Sequence, residues 1–243
     1  MFSFFQKKNI VSDIAWLGVD IHSHLLPGID DGAEDMAQSV RYISSLEELG
    51  FSKLLCTPHI FPEMYDNSPE TILPVLAEVT RAVSQAGLKI EMGAAAEYMT
   101  DATFTACEGL LTLPNNYILI EMSYIAETNN IDQIIFELQL KGYKVILAHP
   151  ERYRFYHQES VGRFQRFKDQ GCFLQLNLLS VVGYYGKQVQ QTAEMLIKSE
   201  LYDFAGTDLH HDKHLSTLTS AVQNGVLHKK IGNYPFGNKE IFS

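Results

Sequence analysis

Short apolar runs of strand character recur along this 243-residue chain, and several of them end on a histidine or a carboxylate. The first run, 15–19, leads directly into Asp20, His22 and His24, which are separated by single residues. Alternate residues of a strand share one face, so these three side chains should point the same way. Five later runs end in the same manner, at His59, Glu97, Glu121, His149 and Asp208, with His210 two residues further on. A fold that explains this pattern must bring the ends of many strands together.

Helical segments separate the strand-like runs. Apolar residues recur at helical spacing in 36–49 and in 131–140, and a glycine follows each segment. The segment 101–113 is interpreted as a shorter helix. About seven strands alternating with helices predict a parallel sheet built from βαβ units. The favoured architecture is a closed or nearly closed α/β barrel forming a single domain over 1–243, with 1–15 as an N-terminal extension. An open doubly wound sheet is the alternative.

The chain is acidic, with a formal net charge of −10 and a pI of about 5.3. No basic patch is visible in the sequence, so nucleic acid is not an expected partner. No apolar run approaches the ~20 residues of a membrane span, and the chain is not expected to cross a membrane. Cys56, Cys107 and Cys172 are widely spaced and form no C-x-x-C pair. This spacing argues against a disulfide framework or a structural zinc and favours a cytoplasmic location.

Side chains with metal-binding chemistry are expected to gather at one rim of such a barrel. Functional residues of an α/β barrel sit at the C-terminal ends of its strands. Any one of these side chains alone would fit a packed histidine or a solvated carboxylate, but so many in one cleft need cations to offset their charge. Imidazole and carboxylate ligands without thiolate favour manganese, iron or zinc in an open catalytic site. The candidate ligands are His22, His24, Asp31, His59, Glu97, Glu121, His149, Asp208 and His210.

The order of short motifs along the chain resembles that of the polymerase and histidinol phosphatase (PHP) family. The motifs are H-x-H at 22–24, Asp-Asp-Gly at 30–32, Thr-Pro-His at 57–59, Ala-Glu at 96–97, Glu-Met at 121–122, His-Pro-Glu-Arg at 149–152 and Thr-Asp-x-His at 207–210. The chain looks most like the bacterial manganese-dependent tyrosine-protein phosphatases that act on the tyrosine kinases of capsule and exopolysaccharide export. The resemblance runs from Val19 to His210 and implies a distorted (β/α)₇ TIM-like barrel.

By this resemblance, the cleft would hold three divalent cations, with manganese expected and iron or zinc as alternatives. The first ion would be held by His22, His24, Glu97 and Asp208. The second would share Glu97 and add Glu121 and His149. The third would be held by Asp31, His59 and His210. Asp31 is assigned rather than Asp30 because it directly precedes Gly32, as in the family pattern. Asp20 would then be a carboxylate that orients one of the imidazoles.

The resemblance also assigns residues to the substrate. Arg152 matches the family's arginine that contacts the phosphoryl group or assists the leaving group. Relatives carry a further arginine a few residues after the last metal histidine. This chain has none there, so Arg154 or Lys213 is expected to take its place. Independently of the resemblance, Tyr65 is assigned to stack on a phosphotyrosine ring because it lies near the motifs. The other nearby candidates, for most of which packing is the alternative, are Tyr124, Tyr153, Tyr184 and Tyr185.

The implied reaction is hydrolysis of phosphotyrosine by metal-activated water, without a covalent phosphoenzyme. The cysteine-phosphatase signature C-x₅-R is absent, since no arginine stands six residues after any cysteine. The expected partner is a phosphotyrosine protein, namely a membrane-associated tyrosine kinase of polysaccharide export. A small-molecule phosphatase of the histidinol-phosphatase type and a non-catalytic metal-binding regulatory module are the alternatives. A shallow cleft would favour the protein substrate and a deep basic pocket the small one, and the sequence leaves the oligomeric state open.

Overall fold

The computed structural model describes residues 10–157 and 160–243. The expected N-terminal extension therefore lies outside the described residues over 1–9. Its remaining part packs on the domain, because Ile14 is fully buried and its amide donates to the carbonyl of Leu49 at 2.8 Å. No helix in the described part of the chain is long and apolar enough to cross a membrane.

The described residues contain nine short strands, all paired in parallel. They are β1 Val19–Asp20, β2 Lys53–Cys56, β3 His59–Ile60, β4 Glu91–Ala94, β5 Glu97–Met99, β6 Tyr117–Glu121, β7 Lys144–Ala148, β8 Phe173–Asn177 and β9 Phe204–Gly206. One sheet has the order β1-β2-β4, and the other has the order β3-β5-β6-β7-β8-β9. Every neighbouring pair is parallel, which confirms the predicted α/β architecture with parallel sheets.

Two interruptions explain why there are more strands than the sequence pattern predicts. Residues 57–58 separate β2 from β3, and residues 95–96 separate β4 from β5. Hydrogen bonding continues beside both interruptions, for example from the amide of Glu97 to the carbonyl of Pro58 at 3.1 Å. If each interrupted pair counts as one strand, the described residues contain seven strands.

Eight α-helices lie within the described residues. They are α1 Met36–Leu49, α2 Pro69–Gln85, α3 Ile131–Leu140, α4 Val161–Asp169, α5 Lys187–Lys198, α6 Asp212–Gln223, α7 Val226–Ile231 and α8 Asn238–Phe242. In α1 the side chain of Asp35 accepts from the amide of Gln38 at 2.8 Å, and Gly50 ends the helix with φ +110°. The two short helices α7 and α8 follow α6 and end the chain.

The predicted helix over 101–113 is wrong, because this segment is irregular. The side chain of Asp101 accepts hydrogen bonds from both the amide and the hydroxyl of Thr103, at 2.8 and 2.7 Å. Such a local turn competes with helical hydrogen bonding. Gly109 has φ +79°, a left-handed conformation that no α-helix contains. Turn chemistry therefore outweighed the apolar spacing in this segment.

Strand residues pack on both faces of the sheet, as expected for parallel strands. Ile118 and Ile120 of β6 join a large apolar cluster that includes helix residues, whereas Tyr117 and Leu119 join a smaller cluster. Glu121 ends β6 on the same face as Leu119. Its carboxylate is therefore placed at the end of the smaller apolar cluster, at the edge where the strands terminate.

The segments around β1 and β9 are joined in two places. After the strands, the amide of Asp208 donates to the carbonyl of His22 at 2.7 Å. Within the strands, the buried side chain of Asn238 in α8 donates to the carbonyls of Val19 and Ala205, at 2.9 and 2.7 Å. The first and last strands of the chain thus lie close together, and the residues that follow them meet at one rim.

Candidate metal centre

Four buried side chains bring one ligand atom each to a common point, from the segments that follow β1, β4 and β9. Oε2 of Glu97 lies 3.2 Å from Nε2 of His22 and 3.4 Å from Nε2 of His24. Oδ1 of Asp208 lies 3.4 and 3.5 Å from the same two nitrogens, which are 3.4 Å apart. Through its other oxygen, Glu97 also approaches Nε2 of His149 at 3.0 Å.

His59 connects this point to the remaining predicted ligands. Its Nδ1 lies 2.9 Å from Oε1 of Glu121. Its Nε2 lies 3.5 Å from Oδ1 of Asp31, which is itself 3.4 Å from Nε2 of His210. The structure therefore brings all nine predicted ligand side chains together, and their division among separate ions stays a prediction.

Hydrogen bonds on the far ring nitrogens turn three imidazoles toward the cluster. Nδ1 of His22 lies 2.9 Å from Oε1 of Gln175. Nδ1 of His24 lies 2.7 Å from Oδ2 of Asp30. Because these oxygens accept hydrogen bonds, each Nδ1 holds a proton, and in the neutral ring Nε2 presents its lone pair to the cluster. Nδ1 of His210 is held in the same way by the main-chain carbonyl of Asp208, at 3.0 Å.

The surroundings of Glu97 fit a bound cation. Nitrogens of His22, His24 and His59 approach its Oε2 at 3.2 to 3.4 Å, yet this oxygen makes no hydrogen bond with any described residue. A buried carboxylate oxygen without a partner is costly, and a shared cation would satisfy it. Burial alone would lower the pKa of His22, but the carboxylates of Glu97 and Asp208 outweigh it and raise the pKa to about 9. The carboxylates thus create a negative potential at this point, which would favour a divalent cation.

The conformation of the first loop depends on the Asp-Asp-Gly motif. Asp30 accepts from the amides of Gly32 and His59, at 2.9 and 3.2 Å, and so ties the loop to β3. A Cβ atom at Gly32 would lie 2.0 Å from the carbonyl oxygen of His24, so only glycine fits there. This close approach leaves Asp31 facing the ligand cluster while Asp30 lies behind it.

The role predicted for Asp20 is wrong. Its carboxylate accepts from the amide and hydroxyl of Thr207, at 2.9 and 2.6 Å, and from the amide of His22 at 3.3 Å. Burial raises the pKa of Asp20 to about 6 despite these hydrogen bonds. Asp20 therefore ties β1 to the segment after β9, and it is Asp30 and Gln175 that orient imidazole rings.

Arg152 lies at the edge of the cluster, on the short turn that follows His149. Its Nη1 donates to Oδ2 of Asp208, whose other oxygen belongs to the ligand cluster. Its guanidinium carbon lies 4.9 Å from the ring centre of Tyr124 and 4.2 Å from that of Tyr185, so two aromatic rings hold it in place. Since a guanidinium has five N–H donors, further donors remain for an anion in the cleft.

Two adjoining cavities open at this rim, and both are lined by Tyr124 and Arg152. The metal cavity, of about 200 Å³, contains ligand residues of the cluster. The side cavity has a volume of about 350 Å³. Its lining residues are Tyr124, Ile125, Arg152, Arg154, Tyr185 and Val189.

The predicted substrate-binding residues lie in three different places. Tyr65 lines the metal cavity, and its ring stacks on that of His59 with centroids 5.4 Å apart. Arg154 lines the side cavity. Lys213 lies on α6 with its ammonium group 5.3 Å from the ring centre of Tyr184, and it lines neither cavity.

A family model for capsular polysaccharide synthesis proteins, CpsB/CapC, matches residues 18–237. The chain belongs to this family. The matched range contains all nine predicted ligands as well as Arg152 and Arg154. It therefore includes both cavities and the whole of the candidate site.

Similar proteins with related sequences are named as tyrosine phosphatases. The tyrosine-protein phosphatase YwqE of Bacillus subtilis strain 168 is 29% identical over 219 residues, which cover 88% of this chain and 85% of YwqE. The tyrosine-protein phosphatase CpsB of Streptococcus pneumoniae is 24% identical over 202 residues, covering 79% of this chain and 83% of CpsB. A chain from the crystal structures of YwqE and CpsB, described as unique metal-dependent tyrosine phosphatases, matches with a TM-score of 0.80 at 28% identity over 91% of both chains.

Asn177, at the end of β8, is a part of this CpsB/CapC site that the sequence pattern did not reveal. Its Nδ2 donates to Oδ2 of Asp208 at 2.8 Å and lies 3.1 Å from the hydroxyl of Tyr185. The buried Glu151 holds Asn177 in place in turn, because its Oε1 accepts a hydrogen bond from the main-chain amide of Asn177 at 3.0 Å. Asn177 therefore positions both a predicted ligand and a ring that packs on Arg152. Its place at the end of a strand was the only signal for it in the sequence.

Proposed function

We propose that this chain is a metal-dependent protein-tyrosine phosphatase. The observation that supports it most is the meeting of nine imidazole and carboxylate side chains at one rim, with Arg152 beside them in an open cavity. The family match and the tyrosine phosphatases among the relatives agree with this reading. The proposed substrate is a phosphotyrosine protein, in particular a membrane-associated tyrosine kinase of capsule or exopolysaccharide export, and the proposed location is the cytoplasm.

The proposed cofactor is a set of three divalent cations, with manganese as the expected metal. Overlapping groups of ligand atoms, with the atoms of each group within 4.8 Å of one another, support more than one ion. Glu97 is the proposed bridge, because each of its two oxygens faces different imidazoles. The other ligands are divided among the ions as the family resemblance implies.

The proposed framework is a single-domain, distorted (β/α)₇ barrel of PHP type. Seven strands result when β2–β3 and β4–β5 each count as one. The ring would close between β1 and β9, where Ser23 and Leu209 form an isolated parallel bridge and Asn238 binds both strands. This closure would explain why the residues that follow all seven strands face a common point.

The chain's own residues orient the reacting groups. When bound at this rim, divalent cations would lower the pKa of a water toward neutrality and offset charge on the phosphoryl oxygens. Gln175 and Asp30 hold the imidazoles of His22 and His24 in position for those cations. Arg152 donates hydrogen bonds to the phosphoryl group as its charge develops. The leaving phenolate needs less protonation than an alkoxide, since tyrosine has a pKa of about 10.

The shape and charge of the cleft favour a protein over a small phosphate ester. Arg152 is the only arginine or lysine among the described residues that line the metal cavity, so this cavity is not a basic pocket for a small dianion. Apolar side chains stand exposed around the openings, with Met64 63% and Ile125 92% accessible. Such side chains offer contacts to a peptide on either side of a phosphotyrosine.

Chelation tests the proposed function. Removal of metal should lower hydrolysis of a phosphotyrosine peptide by ~10³-fold or more, because the ions would supply several kcal/mol of transition-state stabilisation. Addition of manganese should restore it. The same preparations are assayed on histidinol phosphate. A preference for histidinol phosphate would support the small-molecule phosphatase, and metal-loaded protein without hydrolysis of either compound would support the regulatory module.

The three cysteines should be dispensable for the reaction. Cys56 and Cys172 are buried, and burial raises the pKa of each thiol to about 12, so neither is a ready nucleophile. Cys107 is exposed and lines neither cavity. Single replacements by serine should keep turnover within about twofold of wild type, with stability measured alongside. Loss of turnover in a variant that is stably folded and metal-loaded would contradict hydrolysis by water.

A further inference from the structure

Apart from Arg152, the residues that line the side cavity have no direct part in the reaction proposed above, although this cavity lies beside the metal cavity. Tyr124 and Arg152 line both cavities, so the two cavities adjoin each other along these residues. At about 350 Å³, the side cavity is also larger than the metal cavity. A ligand placed in the metal cavity therefore has space for a further group on this side.

The charge of the side cavity is positive. Among the described residues, two arginines and no carboxylate line it, in a chain with a net charge of −10. Arg152 is bonded to Asp208, whereas Arg154 is exposed and forms no ion pair with any described residue. Val189 lies in the first turn of α5, so the positive end of that helix dipole is near the same wall. A negatively charged group fits these surroundings.

The remaining wall of the side cavity is aromatic and aliphatic. Tyr124 and Tyr185 both pack on the Arg152 guanidinium, and Ile125 and Val189 complete the lining. A side chain with an apolar stem and an anionic tip would place its stem against these residues. Its tip could then reach Arg154, whose guanidinium can form paired hydrogen bonds with a carboxylate or a phosphoryl group.

We propose that the side cavity binds an anionic side chain of the substrate peptide, adjacent to the phosphotyrosine, and that Arg154 pairs with it. The inference rests on the proposed function. A neighbouring residue of the substrate peptide lies over the side cavity only when its phosphotyrosine occupies the metal cavity, because the two cavities share Tyr124 and Arg152. Arg154 is then a specificity-determining residue and does not contact the phosphoryl group that is cleaved. The anion is the carboxylate of an acidic residue or the phosphoryl group of a second phosphotyrosine.

Matched phosphotyrosine peptides test this specificity on the manganese-loaded protein. Each peptide carries glutamate, glutamine, lysine or a second phosphotyrosine at a position flanking the phosphotyrosine that is cleaved. The wild-type protein should prefer glutamate to glutamine roughly tenfold in kcat/KM, and lysine should be the poorest of the set. Comparison of the glutamate and phosphotyrosine peptides shows which anion the cavity favours.

Variants of Arg154 separate this effect from overall activity. Arg154→Ala should bring the ratio of the glutamate to the glutamine peptide close to one, and Arg154→Glu should shift the preference to lysine. Each ratio is measured within one variant, so a general loss of activity cancels. Arg81→Ala is the matched control, because Arg81 is exposed on α2, about 18 Å along the helix from its first residue, and should keep the wild-type ratio.

Four outcomes would overturn the inference, and they are distinguishable. Equal hydrolysis of all peptides by the wild-type protein, or a wild-type ratio in Arg154→Ala with undiminished activity on every peptide, would refute it and leave the proposed function intact. An equal loss on every peptide and on p-nitrophenyl phosphate in Arg154→Ala would place Arg154 at the cleaved phosphoryl group instead. A wild-type protein that hydrolyses no phosphotyrosine peptide would reject both proposals together.

Discussion

Glu97→Ala is expected to lose bound metal and hydrolytic activity together. Glu97 is the carboxylate that faces the cluster with both oxygens, since Oε2 lies 3.2 Å from His22 and Oε1 lies 3.0 Å from His149. Its removal would take a ligand from two ions at once. Turnover of a phosphotyrosine peptide should fall by on the order of 10³-fold or more, the scale of losing stabilisation by the metal ions.

Metal analysis of the purified variants, paired with steady-state kinetics, measures this effect. Glu97→Gln keeps the size of the side chain but removes its charge, so it should also lose metal if the charge matters rather than the packing. Glu78→Ala is the control, because Glu78 is exposed on α2 and should keep both metal and turnover. Full metal content in a folded Glu97→Ala protein would show that the bridging assignment is wrong.

The convergence of the ligands could be predicted from the sequence because it depends on a general property of parallel sheets. Glu121 is the last residue of β6, and His149 directly follows β7. In parallel strands all such ends lie on one edge, so a run of strand ends with metal-binding chemistry predicts a shared site. The approximate number of strands followed from the same alternation of strands and helices, although two strands proved to be interrupted.

The hydrogen bonds that orient the ligands could not be predicted in the same way. Gln175 binds the ring of His22 across 153 residues of sequence, and no spacing rule relates two such positions. Asp20 was expected from the family resemblance to orient an imidazole, yet its carboxylate bonds to Thr207. Asp30 takes up that role for His24 because the tight turn at the following residues aims its carboxylate back at the ring. These pairings depend on tertiary contacts, which local pattern does not encode.

The second large effect is expected for Arg152→Ala, which should keep its metal but lose turnover by ~10²-fold or more, the scale of a lost transition-state donor. Arg152 cannot bind a cation, so its removal takes no ligand from the cluster. Asp208 should stay in place, because Asn177 donates to the same Oδ2 at 2.8 Å. Steady-state kinetics on a phosphotyrosine peptide, together with metal analysis, measures both quantities.

The division of the effect between kcat and KM identifies what Arg152 does. A donor that acts in the transition state lowers kcat, whereas a residue that only binds the substrate raises KM and leaves kcat unchanged. Arg152→Lys should recover only part of the activity, since an ammonium group cannot form the two parallel hydrogen bonds of a guanidinium. Arg81→Ala should behave as wild type. Wild-type kinetics in Arg152→Ala would remove Arg152 from the reaction and transfer the phosphoryl contact to Arg154 or Lys213, of which only Arg154 lines the cleft.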